Sequence, residues 1–237
     1  MAGTDIDILW YPSPNFNERR HNKTPSILVQ HYTGMKNAQE ALARLCDPEA
    51  EVSAHYLIDE DGAVYQLVDE KKRAWHAGFG SWRGETDINS ASIGIEIVNP
   101  GHEFGYRQFS EMQMNSVISL SKSIVERHQI ARFNVIGHSD LAPERKQDPG
   151  ELFDWKRLAE NGVGLWPEAV QNNEFVSDDD YQHALEVIGY AVKSENLSDV
   201  TAAFQRHWRQ ENVSGIADAE TRMIAKSILN SVLRLTN

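Results

Sequence analysis

A chain of 237 residues, 41% hydrophobic and 24% charged, has the length and balance of one sizeable globular domain with room for a small second one. A formal charge of -12 argues against non-specific binding to nucleic acid or to an anionic membrane surface. A single cysteine, Cys46, excludes an internal disulfide framework, and no stretch approaches the roughly 20 apolar residues of a membrane span.

The first residues carry neither a basic n-region nor an apolar h-region. The chain therefore reads as cytoplasmic as written, or periplasmic if an export signal has been removed from it. Residues 1–25 are polar and turn-rich, an irregular lead-in. Ser26 to His31 is the first β-rich run, and Asn37 to Leu45 reads as a helix. Tyr56 to Val68 is two strands joined through Asp61-Gly62, a hairpin signal. Trp75 to Gly80 is a glycine-aromatic loop. Ser92 to Val98 is the most apolar strand, closed by Asn99-Pro100-Gly101.

Ser110 to His128 is the main helix, with Met114, Val117, Ile118, Ser121, Ile124 and Val125 on one stripe. A strand over Phe133–Gly137 and a short helix over Phe153–Glu160 follow, ended by Gly162 to Gly164. Strands alternating with helices predict an α/β fold, a central mixed sheet flanked by helices. Composition shifts over Pro167 to Asp180. The expected organisation is a first domain over 1–167, a linker over 168–176 and a small all-α three-helix domain over 177–237. Its helices are predicted at Asp179–Val192, Ser198–Glu211 and Ala217–Leu235, with Ser198 and Asp218 as caps.

Chemistry concentrates in Gly137-His138-Ser139-Asp140 and the proline-punctuated loop to Lys146-Gln147-Asp148-Pro149-Gly150. Pro149 biases Asp148 towards extended geometry, which turns Lys146 and Asp148 to the same side. Of nine histidines, His21, His102, His183 and His207 read as surface residues, and His128 as a helix-end cation. His31 and His138 differ because each ends an apolar strand, where ligands of open α/β sheets collect. Either alone is more often a structural histidine than a ligand. Both together with Asp148 set a metal site beside that reading. The donor set suits zinc, with a fourth position left for a water of pKa about 7.

Glu96 lies mid-strand among Ile93, Ile95 and Ile97, where an unpaired carboxylate is costly to bury. It is either on the solvated face of an edge strand or a partly desolvated general base. Lys146 is either an ordinary loop lysine or the cation for an oxyanion. Cys46 reads as a packed thiol rather than a nucleophile.

Five ordered blocks carry a resemblance: Val29-Gln30-His31-Tyr32-Thr33, Val52 to Ile58, Ala74-Trp75-His76-Ala77-Gly78, Ile93-Gly94-Ile95-Glu96, and Gly137 to Gly150. Over about residues 8–167 the chain resembles the zinc-dependent N-acetylmuramoyl-L-alanine amidases, the family related to phage lysozyme-amidases and peptidoglycan recognition proteins. The resemblance implies hydrolysis of the amide between N-acetylmuramic acid and L-alanine in peptidoglycan or muropeptides. It implies Zn2+ on His31, His138 and Asp148, Glu96 as acid/base and Lys146 as oxyanion cation. It also implies substrate contacts at Tyr32, Trp75, His76 and Ser139. Phage members carry a tyrosine where this chain has Ala54, and cysteine where it has Asp148, which aligns it with the bacterial branch that relies on glutamate.

The tail, with Gly215, Asp218 and Thr221, resembles a three-helix peptidoglycan-binding module. That pairing occurs in outer-membrane amidases of Gram-negative bacteria, whereas relatives without an export signal recycle muropeptides and favour 1,6-anhydro forms. The rival readings are a non-catalytic recognition protein and a zinc peptidase cutting within the stem peptide.

Overall fold

The computed structural model describes residues 7–168 and 176–236. In chain order the strands are β1 (Ile8–Trp10), β2 (Phe16–Glu18), β3 (Ile27–Tyr32), β4 (Tyr56–Ile58), β5 (Val64–Gln66), β6 (Lys72–Ala74), β7 (Ser92–Ile97) and β8 (Val135–Gly137). The α-helices are α1 (Ala38–Leu45), α2 (Ile88–Ala91), α3 (Gly101–Phe104), α4 (Glu111–His128), α5 (His138–Leu141), α6 (Trp155–Glu160), α7 (Asp178–Ile188), α8 (Leu197–Trp208) and α9 (Ala219–Thr236).

A six-stranded sheet runs β1-β5-β4-β7-β3-β8, and β2 and β6 form a separate antiparallel pair. Strands β4, β7, β3 and β8 are parallel neighbours, β5 turns back on β4, and β1 lies parallel to β5 at the edge. The mixed α/β expectation is met. The irregular lead-in is not, because β1 and β2 fall inside it. Their residues are all exposed, so they carry no burial alternation, and their partners lie far along the chain.

Period-two alternation in β7 sorts the two faces. Ile93, Ile95 and Ile97 pack with Leu28 beneath Met114, Val117, Leu120 and Ile124 of α4. Helix α4 contains four serines, poor helix formers, so its stability comes from this stripe and its ends. Each fully buried aliphatic side chain contributes about 1.5–3 kcal/mol. Ser110 and Gln113 close a reciprocal capping box at its start. At its end His128 meets Glu70 at 2.7 Å, which adds a carboxylate to the expected dipole role. The stripe is centred slightly off the predicted one: Leu120 is buried, and Ile118 and Val125 sit at its margin.

Gly94 and Glu96 face the other way. On that side an apolar cluster runs without a break from Val29, Ile136 and Leu141 to Tyr181, Phe204 and Trp208 of the C-terminal helices. Helix α8 begins at Leu197, so Ser198 lies inside it rather than capping it. Asp218 does accept the Thr221 N–H at 3.0 Å. Most of the predicted linker, residues 169–175, lies outside the described residues.

Candidate metal centre and active site

Three parallel strands deliver the site at their carboxyl ends. His31 is near the end of β3, Glu96 is its register partner on β7, and His138 directly follows β8. The loop after α5 then returns Asp148 to the same point, where the Ser139 N–H donates to the Asp148 carbonyl at 2.9 Å. Gly137 makes room for that return. A Cβ there would lie 2.7 Å from Pro149 Cδ, so any side chain would push the loop away.

His31 Nδ1, His138 Nδ1 and Asp148 Oδ2 are each 3.0 Å from the other two. The surrounding hydrogen bonds assign the ring tautomers. Ser92 Oγ donates to the Ile88 carbonyl at 2.6 Å, so it accepts from His76 Nε2–H at 3.1 Å. His76 Nδ1 is then an acceptor and takes the proton of His31 Nε2 at 3.0 Å, which leaves a lone pair on His31 Nδ1. His138 Nε2–H donates to the Ala77 carbonyl at 2.9 Å, which leaves its Nδ1 lone pair facing the same point. Two imidazole lone pairs and a carboxylate oxygen thus converge in a buried place, a group that could hold a metal ion.

The electrostatics agree. Burial lowers the His31 pKa to about 4, reinforced by His138 and opposed by Asp148, and burial holds His76 well below the usual range. For Asp148 burial works against ionisation, and His138 and His31 pull its carboxyl far below the usual range only when their rings carry a proton on Nδ1. With both Nδ1 atoms as lone pairs, the three donors face one another and call for a cation between them. Glu96 shifts the other way: burial raises it well above the usual range, Asp148 adds to this and Lys146 opposes it. Its Oε2 is buried and has no hydrogen-bond partner among the described residues.

These groups open on a cavity of about 480 Å³ lined by Glu96, His138, Lys146 and Asp148, with Tyr32, Trp75 and His102 among its other walls. Lys146 makes no ion pair among the described residues. Tyr32 and Trp75 reach the cavity as a substrate contact requires. His76 touches it but is 8% exposed and lies behind His31, so its position is that of a partner to the His31 ring. Only glycine fits beside it at 94, where a Cβ would be 2.5 Å from His76 Cγ. Ser139 is 3% exposed and is not among the lining residues. Cys46 sits half-buried at the end of α1, and burial raises its pKa, which keeps it a thiol.

Sequence reasoning passed over two features. His102 is exposed as expected, yet it joins Tyr32 Oη (3.0 Å) to Glu151 (3.1 Å) at the cavity rim. His207, expected at the surface, is 2% exposed and bonded to Asp140. The signal was present: Val200, Ala203, Phe204, His207 and Trp208 follow helical spacing, which places the histidine on the buried stripe.

Buried neutral histidines make a pH prediction. His31 and His55 have pKa values lowered to about 4 and about 3, burial being the main cause for both. The unfolded chain takes up protons below pH 6.5 while the folded chain resists, so their contribution is lost as pH falls from 6.5 towards 3. Glu96, raised, has the opposite sign and loses stability above pH 4.5. With more than one histidine outweighing it, melting of the chelated protein should shift downward from pH 7 to pH 4. A flat profile would contradict the neutral tautomers.

An open cavity at a His-His-Asp group that could hold a metal ion, lined by a glutamate and a lysine, has the chemistry a hydrolase can use. Residues 21–151 match the family described as N-acetylmuramoyl-L-alanine amidase, and the chain belongs to that family and is an enzyme of it. It is 38% identical over 228 residues to the N-acetylmuramoyl-L-alanine amidase AmiD of Escherichia coli K12, covering 86% of this chain and 82% of AmiD. A structure of E. coli AmiD with the substrate anhydro-N-acetylmuramic acid-L-Ala-D-gamma-Glu-L-Lys has a TM-score of 0.78 and 35% identity, over 92% of this chain and 98% of that one. AmpDh3 from Pseudomonas aeruginosa, in complex with anhydromuramic pentapeptide, has a TM-score of 0.82 and 31% identity, over 90% and 94%. These relatives set aside the reading as a non-catalytic recognition protein.

Proposed function

We propose that the chain holds Zn2+ through His31, His138 and Asp148 and hydrolyses the amide between N-acetylmuramic acid, or its 1,6-anhydro form, and L-alanine in peptidoglycan or muropeptides. The convergence of two Nδ1 lone pairs on Asp148 Oδ2 carries this reading. Tetrahedral zinc with bonds of about 2.0–2.1 Å separates its donors by about 3.3 Å, and the 3.0 Å spacings here need little adjustment to match. Two imidazoles and one carboxylate leave an open position, as hydrolytic zinc sites require. The substrates bound by AmiD and AmpDh3 support the choice of an anhydromuramyl peptide.

When bound, zinc supplies a Lewis acid for the scissile carbonyl and favours loss of a proton from water at neutral pH. Glu96 accepts that proton. Its raised pKa also makes it able to return the proton to the departing alanine nitrogen. Lys146 presents an ammonium group to the oxygen that gains charge as the carbonyl becomes tetrahedral. Tyr32 and Trp75 give the cavity walls that hold the sugar and peptide in place.

Lys146→Ala is expected to lower kcat by about 10²–10³ with zinc content unchanged, the size seen when one oxyanion donor is removed. Steady-state kinetics with metal analysis measures it, and an unaltered kcat would remove Lys146 from the mechanism. The activity itself is tested by digesting muropeptides with and without a chelator and identifying products by mass spectrometry. Chelator-sensitive release of stem peptides beginning at L-alanine is the expected result. Cleavage inside the stem peptide would identify a peptidase instead.

A further inference from the structure

Asp140 is where the C-terminal helices reach the metal centre. Its carboxyl group, in a residue 1% exposed, receives three donors. The Gly137 N–H reaches Oδ2 at 2.7 Å, His207 Nδ1 reaches the same oxygen at 2.8 Å, and the Tyr190 hydroxyl reaches Oδ1 at 2.5 Å. The first comes from the start of α5 itself. The other two come from 50 and 67 residues downstream.

Both distant donors are held firmly. Burial, with the adjacent Asp140 charge, raises Tyr190 well above the usual phenol range, so it stays a donor. The His207 ring lies between the indoles of Trp155 and Trp208, each centroid 3.8 Å away, at interplanar angles of 20° and 9°. Its Nε2 has no partner among the described residues, so the two indoles and the Asp140 bond alone orient the ring. Around it, Trp208 Nε1 donates to the Leu165 carbonyl at 3.3 Å and Gln210 Nε2 to the Phe153 carbonyl at 2.6 Å.

Helix α5 is four residues long and begins at His138. So short a helix has no stability of its own, because forming one turn fixes several residues for a single hydrogen bond. Its orientation is set by what grips it. Asp140 is one of its four residues, and two of the three groups gripping Asp140 belong to the C-terminal part of the chain.

We propose that Tyr190 and His207 are positioning residues of the metal centre, which hold Asp140, and through it α5, so that His138 Nδ1 meets His31 Nδ1 and Asp148. The C-terminal helices are on this view a buttress of the active site, whatever else they bind. The inference rests on the zinc reading. Partners that orient a metal ligand typically contribute 10–100-fold in metal affinity or activity.

The test uses the full chain and reads zinc affinity by chelator competition, the visible spectrum of the cobalt-substituted protein, and kcat and KM on an anhydromuropeptide. His207→Leu keeps bulk between the indoles and removes the donor. It should weaken zinc binding by about 10-fold, the low end of the range for groups that bond a ligand directly, alter the cobalt bands and lower kcat with KM unchanged. His207→Asn, whose amide nitrogen can take the place of Nδ1, should restore most of each. Tyr190→Phe removes one hydroxyl, retains the ring and should move all three readings in the same direction by less. Wild-type zinc affinity, cobalt spectrum and kcat in His207→Leu and Tyr190→Phe would overturn the inference, as would a lowered melting temperature without change in those readings. A wild-type chain that binds no zinc would overturn the zinc reading, and this inference with it.

Discussion

Glu96→Gln is expected to cut kcat by about 10²–10⁴, the usual worth of a positioned acid/base group, while zinc binding persists and the folded protein becomes more stable. The combination follows from how Glu96 is held. It stands on the strand face opposite Ile93, Ile95 and Ile97, and its Oε2 is buried without a partner among the described residues. Burial raises its pKa well above the usual range, with Asp148 adding to the effect. The fold therefore disfavours the charged form that the reaction uses, and an amide of the same shape removes that conflict. Thermal melts, metal content and turnover on one sample of each protein check it. A variant that retains turnover removes Glu96 as the base, and one that melts lower shows the carboxylate to be structurally supported.

Asp148→Ala is expected to abolish stable metal binding, with an affinity loss beyond the 10–100-fold typical of groups one step removed from a metal. Asp148 Oδ2 is 3.0 Å from both Nδ1 atoms and is the only carboxylate in the donor set. Without it two neutral imidazoles remain, and the charge that opposes the lowering of the His31 pKa is gone. Metal analysis after dialysis gives the answer, and full zinc occupancy in Asp148→Ala would rule the ligand set out. Activity should fall in parallel and return at high added zinc only in part.

How far the sequence carried depended on whether a residue's meaning was local. His31 and His138 were legible because each ends an apolar strand, and Glu96 because it interrupts one. Asp148 was legible from Pro149 and from its place beside Lys146. The main helix and the central strands showed their own periodicities. Strands β1 and β2 did not, because exposed three-residue strands carry no alternation and are defined by partners elsewhere.

The same distinction separates His76 from His31. The resemblance of the Ala74–Gly78 block to the amidases implied a substrate contact for His76. Its hydrogen bonds to His31 and Ser92 are set by the stacking of β7 against the loop after β6. Asp140 lay inside the most informative motif of the chain, yet two of its three partners are Tyr190 and His207, and no local pattern pairs residues so far apart.

The most direct measurement is anomalous scattering at the zinc edge from crystals of the protein prepared with zinc. One peak bonded to His31 Nδ1, His138 Nδ1 and Asp148 Oδ2 is the predicted result, with the Nε2 atoms turned to His76 and to the Ala77 carbonyl. A peak on the Nε2 atoms, or zinc bound away from Glu96 and Lys146, would contradict both the tautomer assignment and the mechanism built on it.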